Sequence, residues 1–244
     1  GSYMSLQVWL PLNGNLTNRG LLDLAWVCDG ATISPNGKIG KTYLMDGVDD
    51  SIYAIHDKSI WSNKEISYAL WFKSDKVKTA GTILEIAADL VVHYSYSAST
   101  NKIRFGYYRA YLNGSGVRAG DLQIPAYDFD ADVWHHVVCT FDHQYNSLYV
   151  DGTLVFSLDR SSLYTNNFVS TTAAGFNKIA IGRSYGSSSF VGGCINDVRI
   201  YDHCLSVKEI KEISKALVLH YTLDDFASHG ANIMPNFLEM GLES

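Results

Sequence analysis

The sequence predicts an all-β fold in which two antiparallel sheets pack face to face, with one short surface helix near the C-terminal end. Short apolar runs recur along the 244 residues, separated by clusters of Gly, Asn, Asp and Ser, which is typical of strands joined by turns. Hydrophobic residues make up 47% and charged residues 18%, so the chain can fill a sizeable core. Only one segment carries a clear helical pattern.

The apolar runs define roughly a dozen strands, which fits two packed sheets. The clearest runs are Gln7 to Leu12, Ser51 to His56, Ile66 to Lys73, Thr82 to Ala87, Leu90 to Tyr96, Lys102 to Tyr107, Val133 to Phe141, Ser147 to Val150, Lys178 to Ile181 and Ile195 to Tyr201. Weaker candidates cover 108–112 and 153–158. Alternation places Val137, Cys139 and Phe141 on one face, so we expect Cys139 to be a small core residue.

Two local patterns predict a turn and the helix. Asp151-Gly152 follows an alternating run and predicts a tight hairpin turn, because glycine accepts the positive φ that such a turn requires. Ser206 with Glu209 three residues later is typical of a capping box. Leu205 before the cap can pack against Ile210, and we expect a surface helix of about ten residues.

Charge and composition exclude several classes of partner. The net charge is -6, which does not attract a polyanion, so we expect no nucleic-acid partner. No apolar run approaches the ~20 residues that a membrane-spanning helix needs, so we expect no membrane insertion. The cysteines at positions 28, 139, 194 and 204 lack the spacing of a zinc site, and the last two are too far apart along one extended strand to pair.

Four segments stand in an order that points to a family. They are Met45 to Ile52 with its Asp-Gly-Val-Asp-Asp turn, Ile66 to Lys73 with Trp71, Trp134 to Gly152 with its Trp-His-His start, and Gly193 to Leu205 followed by Glu209. Together they resemble the laminin-G-like jelly-roll family of concanavalin A-like lectins and glucanases. The resemblance implies a two-sheet antiparallel jelly-roll sandwich, which we assign to residues 5–216.

The tail from residue 217 onwards leaves two alternatives open. Leu217 to Asp225 repeats the pattern of Leu6 to Gly14, a strand followed by a small polar turn. Residues 217–244 are therefore either a strand that closes the same sandwich or the start of a truncated following module.

Two tryptophans and one arginine in the family-like segments carry structural expectations. Trp71 and Trp134 are large rings, and we expect them to fill the gap between the two sheets. Arg199 alternates with apolar neighbours, so it leaves the core face and can pair with Asp197 or Asp202. We expect that arginine to be structural rather than ligand-binding.

Catalysis has to be weighed because the resembling family includes glucanases. A retaining glycosidase needs two carboxyl groups about 5 Å apart, which acids alternating along a strand would supply. The alternating acids at 128, 130 and 132 fall in an expected loop, where the resemblance implies only solvated side chains. His135 and His136 point to opposite faces of a strand, so they cannot hold one ion together. We therefore predict that the chain is not an enzyme.

The resemblance also implies a structural calcium, which related jelly rolls often hold with carboxylates and backbone carbonyls. Oxygen-rich stretches lie at 13–18, 46–50 and Asn196-Asp197, and calcium takes six to eight oxygens at about 2.4 Å. Asn196 stands where the family commonly has Asp, and the missing charge weakens such a site. The alternative is that these Asn and Asp residues only form turns.

Candidate ligand-binding residues cluster in the tyrosine-rich segment 92–118 and in a Ser/Gly-rich loop near residue 185. Tyrosine rings can stack on a sugar, and arginines can reach its hydroxyl groups. The candidates are Tyr94, Tyr96, Arg104, Tyr107 and Arg109 in the first segment, with Arg183 and Tyr185 in the second. The alternative is that these residues bind no ligand: tyrosines are common in strands because of their β propensity, and Ser/Gly-rich loops are often only connectors.

These observations favour a lectin-like binding module of a larger extracellular or phage-tail-like protein, with a glycan or cell-surface polymer as its partner. The alternative is a non-binding spacer or assembly domain of a multidomain adhesin or virion protein, which contacts neighbouring modules of the same protein. A glycoside hydrolase is the third hypothesis. By analogy with modules of this kind, we expect an extracellular, cell-surface or virion location.

Overall fold

The computed structural model describes residues 5–61, 65–87, 89–109, 111–112, 118–162, 177–184 and 189–215. The described residues form an eight-stranded sheet, a seven-stranded sheet and a small two-stranded ribbon. Among them, no helix is both long and apolar enough to cross a membrane. Residues 217–244 lie outside the described part, so the two alternatives for the tail stay predictions.

The strands follow one another along most of the described chain. In order they are β1 (Leu6–Leu10), β2 (Val27–Asp29), β3 (Thr32–Ser34), β4 (Thr42–Asp46), β5 (Ser51–Ile55), β6 (Ile66–Ser74), β7 (Ala80–Ile86), β8 (Leu90–Ser97), β9 (Lys102–Arg109), β10 (Tyr111–Leu112), β11 (Arg118–Ala119), β12 (Phe129–Asp130), β13 (His135–Phe141), β14 (Tyr145–Val150), β15 (Thr153–Asp159), β16 (Lys178–Ile181) and β17 (Gly192–Tyr201). A short 3-10 turn spans Lys58–Trp61, and the one helix of this part, α1, spans Val207–Ile213.

The two large sheets are antiparallel and pack as a sandwich. The eight-stranded sheet has the order β15-β14-β13-β6-β17-β4-β3, and β1 pairs with the C-terminal half of β17. The seven-stranded sheet has the order β12-β9-β8-β7-β16-β5-β2, and β10 pairs with β11 apart from both. The predicted all-β, two-sheet antiparallel jelly-roll sandwich with one short helix is confirmed.

Alternate side chains of the two inner faces fill the core. Cys139 and Phe141 on β13 are fully buried there, as alternation predicts. The Phe72 ring of one sheet meets Tyr94 of the other with centroids 4.7 Å apart, and Tyr68 lies 5.5 Å from Phe141. Burying one such ring contributes roughly 2–3 kcal/mol, so the aromatic rings of the inner faces, both within a sheet and between the sheets, contribute substantially to the stability of the sandwich.

The two tryptophans do not fill the gap between the sheets, and that prediction is wrong. The residues on either side of Trp71 point into the core, so Trp71 itself lies on the outer face of the eight-stranded sheet. It is only 6% exposed because Lys38 and His136 cover it, with Lys38 Nζ 4.6 Å and the His136 ring centroid 4.9 Å from its ring. Trp134 precedes β13 and is half-buried.

A two-residue turn joins β14 to β15, as the sequence predicts. Val150 pairs with Thr153, and the two residues between them, Asp151 and Gly152, have φ values of +51° and +80°. Both angles lie in the left-handed region that glycine and aspartate tolerate best, which is the requirement of this hairpin turn.

The capping box of α1 is also confirmed. The Glu209 backbone N–H donates to Ser206 Oγ at 3.2 Å, and the Ser206 backbone N–H donates to Glu209 Oε1 at 3.1 Å. The helix has 7 residues, shorter than predicted. Leu205 and Ile210 are buried with Val138 in a second apolar cluster on the outer face of the eight-stranded sheet. The chain itself therefore covers part of that face.

A buried ion pair on β17 contacts Trp9 of β1 and so ties the two strands together. Arg199 Nε donates to Asp197 Oδ1 at 2.8 Å, and Trp9 Nε1 donates to the same oxygen at 2.8 Å. The Arg199 guanidinium carbon also lies 4.5 Å from the Trp9 ring centroid, a cation–π contact. Burial lowers the pKa of Arg199, but Asp197 and the Tyr201 hydroxyl raise it above its ordinary value. Of the two predicted partners the pair uses Asp197, while Asp202 accepts from another residue.

The four cysteines are all free. Cys139 is buried in the core, as predicted, and burial raises the pKa of its thiol. Cys194 and Cys204 remain unpaired at the two ends of the β17 region, in agreement with the spacing argument.

Candidate ligand-binding face

The outer face of the seven-stranded sheet presents aromatic and polar side chains from neighbouring strands. Tyr108 on β9 is opposite Val91 on β8, which is opposite Glu85 on β7. Glu85 is opposite Ala180 on β16, and Ala180 is opposite Tyr53 on β5. Because paired residues of antiparallel strands point to the same face, these five form one row with a half-buried tyrosine at each end. In the middle of the row Glu85 and Ala180 are only 8% and 1% exposed, so the accessible parts are the two ends. We call this surface the open face.

A second row lies next to the first. His93 on β8 is opposite Gly106 on β9 and Thr82 on β7. Burial lowers the pKa of His93, so its imidazole is neutral at neutral pH and offers one donor and one acceptor. A third row pairs Arg104 with Ser95. The open face thus combines aromatic rings that can stack on a ligand with hydrogen-bond donors and acceptors.

A loop forms a wall beside Tyr108. Gly120 has φ +140°, and a Cβ there would lie 3.2 Å from Tyr108 Cε2 and 2.4 Å from the Arg109 carbonyl oxygen. Gln123 exchanges backbone hydrogen bonds with Tyr107, both at 2.9 Å. The segment 120–124 therefore runs along the edge of β9, and only glycine allows this close approach at position 120.

The β5 end of the open face is cationic. Lys178 Nζ lies 4.6 Å and the Arg183 guanidinium carbon 5.8 Å from the Tyr53 ring centroid. Burial lowers the pKa of Lys178, and the nearby Arg183 charge lowers it further. An anionic or electron-rich ligand group would relieve the repulsion between these two cations.

At the β12 end, alternating acids meet cations. The exposed pairs are Arg104–Asp128 at 2.7 Å, Lys102–Asp130 at 2.5 Å and Lys76–Asp132. In each pair, the hydrogen bond from the cation lowers the pKa of the aspartate. These acids are exposed, as the sequence predicts, but they are engaged in ion pairs rather than only solvated.

The structure separates the predicted ligand-binding residues. Arg104 and Arg183 lie on or beside the open face. Tyr94 and Tyr107, however, are 0% and 1% exposed in the core. Tyr107 donates its hydroxyl hydrogen to the Asn146 carbonyl at 3.0 Å across the sandwich. That placement does not support ligand contact by either tyrosine.

Arg109 and Tyr96 also do not lie on the open face. Arg109 follows the same alternation as Tyr107, points inward and is 3% exposed. Tyr96 is half-buried, packs against the core and donates its hydroxyl hydrogen to Asn101 Oδ1 at 3.4 Å. Tyr185 lies outside the described residues, so its predicted role stays a prediction.

The sequence singles out the tyrosine-rich segment that contains Tyr108, but the predicted ligand-binding residues do not include Tyr108, His93 or Tyr53. The signal that could have found Tyr108 is the apolar alternation of Ile103 and Phe105, which assigns odd-numbered positions of β9 to the core. On β8 the same reasoning places Tyr94 inside and His93 outside.

His135 is a structural residue at the edge of the core. Its Nδ1 lies 2.8 Å from Asp151 Oδ2 and its Nε2 lies 2.6 Å from the Asp130 carbonyl oxygen. Both partners accept hydrogen bonds, so the ring satisfies both only when each nitrogen carries a proton. Burial lowers the pKa of His135, but these two hydrogen bonds outweigh it and leave the pKa raised.

This geometry predicts a pH-dependent contribution to stability. The pKa of His135 is higher in the folded state than in the unfolded state, where it is about 6.5. Protonated His135 therefore stabilises the fold fully at pH values below the unfolded-state pKa, and this contribution is lost as the pH rises through the folded-state pKa. Burial lowers the pKa of His56 and His93, so their contributions to stability change with pH in the opposite direction. We therefore compare the wild type with His135→Gln by urea unfolding, and expect a larger stability difference at pH 5.5 than at pH 8.5. An equal difference at both pH values would contradict the assignment.

The acidic turn at 46–50 is one of the oxygen-rich stretches where the sequence allows calcium. Carboxylate oxygens of Asp46, Asp49 and Asp50 lie within 4.8 Å of one another. Asp46 Oδ1 accepts the Val48 N–H at 2.8 Å, and Asp50 Oδ2 accepts the Asp46 N–H at 2.9 Å. These bonds are those of a turn, which is the alternative that the sequence leaves open. Calcium here stays a prediction.

Comparisons with known proteins support the fold. A family model described as the concanavalin A-like lectin/glucanases superfamily, of the laminin-G type, matches residues 46–211. No curated protein sequence matches the chain. The chain therefore belongs to the concanavalin A-like lectin/glucanase superfamily.

Solved structures of the same fold share little sequence with this chain. Domain 4 of AbnA, an extracellular arabinanase from Geobacillus stearothermophilus solved with arabinotriose, is 16% identical with TM-score 0.60, and the match covers 86% of this chain and 98% of that one. The binding domain of Paraclostridial Mosquitocidal Protein 1 is 13% identical with TM-score 0.67, covering 89% and 53%. The binding domain of botulinum neurotoxin DC, solved with rat synaptotagmin II, is 12% identical with TM-score 0.62, covering 89% and 52%. The chain thus spans about half the length of these two toxin domains.

Proposed function

We propose that this chain is a carbohydrate-binding module that holds a glycan or a cell-surface polymer across the open face. The observation that carries the proposal is the set of three adjacent rows that brings Tyr108 and Arg104 of β9 and His93 of β8 to the same face, with Tyr53 of β5 at the far end of the first row. Tyrosine faces stack on the apolar side of a sugar ring, while a neutral imidazole and a guanidinium reach its hydroxyl groups. The arabinotriose complex of AbnA domain 4, a relative of similar length, supports a saccharide as the ligand.

We also propose that the module is not a hydrolase. Retaining and inverting glycosidases both need two carboxyl groups about 5 to 9.5 Å apart. On the central strands β8, β7 and β16 of the described face, Glu85 is the one acid that points outward, and Asp128 and Asp130 at the edge are held in ion pairs. An extracellular location is part of the proposal, supported by the extracellular arabinanase relative.

Binding to an array of plant, bacterial and animal glycans tests the proposal. We expect Tyr108→Ala and Arg104→Ala to weaken binding of any glycan retained by the wild type roughly tenfold or more, the loss typical of a residue at a binding hot spot. Tyr145→Ala is the matched control, because Tyr145 is 43% exposed but lies on β14 of the other sheet. We expect this variant to bind glycan as the wild type does.

Two outcomes would count against glycan binding at the open face, and a third would count against the proposal that the module is not a hydrolase. Full binding by both open-face variants, with intact folding by circular dichroism, would show that the ligand site lies elsewhere. A wild-type protein that binds no glycan would favour the alternative of a spacer or assembly domain. Release of reducing sugar from a bound glycan would refute the absence of catalysis.

A further inference from the structure

Three backbone carbonyls converge on one buried amide inside the eight-stranded sheet, at the point along β17 where pairing with β4 ends and pairing with β1 begins. Asn196 on β17 is 3% exposed, and its Nδ2 lies 3.4 Å from the Pro11 oxygen, 3.2 Å from the Leu12 oxygen and 3.0 Å from the Lys41 oxygen. Its Oδ1 accepts the Lys38 backbone N–H at 2.9 Å. The amide therefore joins the segment after β1, the loop before β4 and β17 itself.

The neighbours determine which end of the amide faces the carbonyls. Reversing Asn196 would place its oxygen against three acceptors and its NH₂ group against the Lys38 N–H donor. That arrangement would lose every bond just described. The donor end must therefore point at the carbonyls, which is the end that cannot coordinate a metal ion.

The convergence of the carbonyls is built into the backbone. Leu12 has φ +57° and Gly40 has φ +61°, both in the left-handed region. Leu12 itself supplies one of the three carbonyls, and Gly40 directly precedes Lys41, which supplies another. Asn13 Oδ1 accepts the Lys41 N–H at 2.8 Å and fixes one loop against the other. Three carbonyl dipoles aimed at one point repel each other unless a donor or a cation lies between them.

We propose that the Asn196 amide takes the place of a calcium ion at this junction, so that the contact between the three segments is independent of calcium. The family resemblance implies a calcium held by carboxylates and carbonyls, but the residues present do not fit one. Calcium needs six to eight oxygens about 2.3–2.6 Å away, whereas a neutral NH₂ group fills the centre at hydrogen-bond distance. The three carbonyl oxygens are in place, but position 196 offers them a neutral donor instead of a carboxylate.

The substitution Asn196→Asp tests this inference. A carboxylate facing three carbonyls has no proton to donate, so we expect the variant to melt several degrees below the wild type in EDTA. Excess calcium chloride should restore much of that loss, because the ion would bridge the carboxylate and the carbonyls. A protein that keeps Asn196 and carries Asp49→Asn, which weakens the acidic turn at 46–50, should melt at the same temperature in EDTA and in calcium.

A second readout reports the location of the ion. Trp71 pairs with Asn196 in the register between β6 and β17, so it lies close enough to sensitise luminescence of bound terbium. We expect this luminescence from Asn196→Asp and not from the wild type. Both proteins are also measured with Asp49→Asn, which weakens the acidic turn at 46–50 as a competing site.

The inference is overturned by either of two results. One is a calcium-dependent rise in the melting temperature of the wild type that persists with Asp49→Asn and disappears with Asn196→Ala. The other is an Asn196→Asp variant whose melting temperature does not change with calcium. This holds both for a variant that is as stable as the wild type in EDTA and for one that is unfolded with and without the ion.

Discussion

Replacing Asp197 with alanine is expected to lower the free energy of unfolding by about 3–5 kcal/mol, the cost of leaving a buried charge without its partner. The Arg199 and Asp197 side chains are only 4% and 1% exposed, so water cannot replace the lost carboxylate. The same oxygen also accepts the Trp9 indole N–H, and that donor would lose its partner as well. Urea unfolding followed by tryptophan fluorescence measures the loss.

Asp197→Asn separates the charge from the shape of this side chain. Asparagine tolerates the left-handed backbone of position 197, where φ is +55°, and its oxygen can still accept from Trp9. We expect this variant to be less stable than the wild type but more stable than Asp197→Ala. Asp130→Ala breaks an exposed pair with Lys102 and should change stability little. Equal effects of Asp197→Ala and Asp130→Ala would show that the pair on β17 does not behave as buried.

Replacing Tyr107 with alanine is expected to destabilise the fold by about 3–5 kcal/mol, the range for large aromatic side chains removed from a core. Its ring lies 6.1 Å from Phe141 and 6.4 Å from Phe156, centroid to centroid, in the middle of the sandwich. Tyr107→Phe keeps the ring and removes only the hydroxyl bond to Asn146, so it should cost about 1 kcal/mol.

The neighbouring tyrosine provides the contrast. Tyr108→Ala should change stability much less than Tyr107→Ala, because Tyr108 is half-buried on the open face. Glycan binding should follow the reverse order, with Tyr107→Phe binding like the wild type. If Tyr107→Phe lost binding without losing stability, the core assignment of this ring would be contradicted.

Features set by neighbours in sequence were predictable. The Ser206–Glu209 capping box and the Asp151-Gly152 turn need only a few consecutive residues, and both are confirmed. β16 was predicted with the observed bounds, because its apolar run is bordered by turn residues. The short strands β2, β3 and β12 were not predicted, since two or three exposed residues carry no apolar period and form strands only by pairing with a longer neighbour.

The candidate site was harder to predict because a strand changes face at every residue. The tyrosine-rich composition of β8 and β9 is visible in the sequence, but composition does not say that Tyr107 is inside and Tyr108 outside. Trp71 shows the same difficulty, since a large ring in a family-like motif lies on the outer face. The Asn196 junction joins residues more than 150 positions apart, so no local pattern could reveal it.

The pairing of β1 with β17 determines how the domain responds to mechanical load. Leu6 lies opposite Tyr201, and the Asp202 N–H donates to the Ser5 carbonyl at 3.0 Å, so the outer ends of the two strands are side by side. A force that pulls these two adjacent ends apart acts perpendicular to the strands. The backbone hydrogen bonds between β1 and β17 would then break one after another rather than all together. The contacts that oppose further separation of β1 from β17 are then the Arg199–Asp197 pair and the Asn196 junction, which lie farther along the two strands.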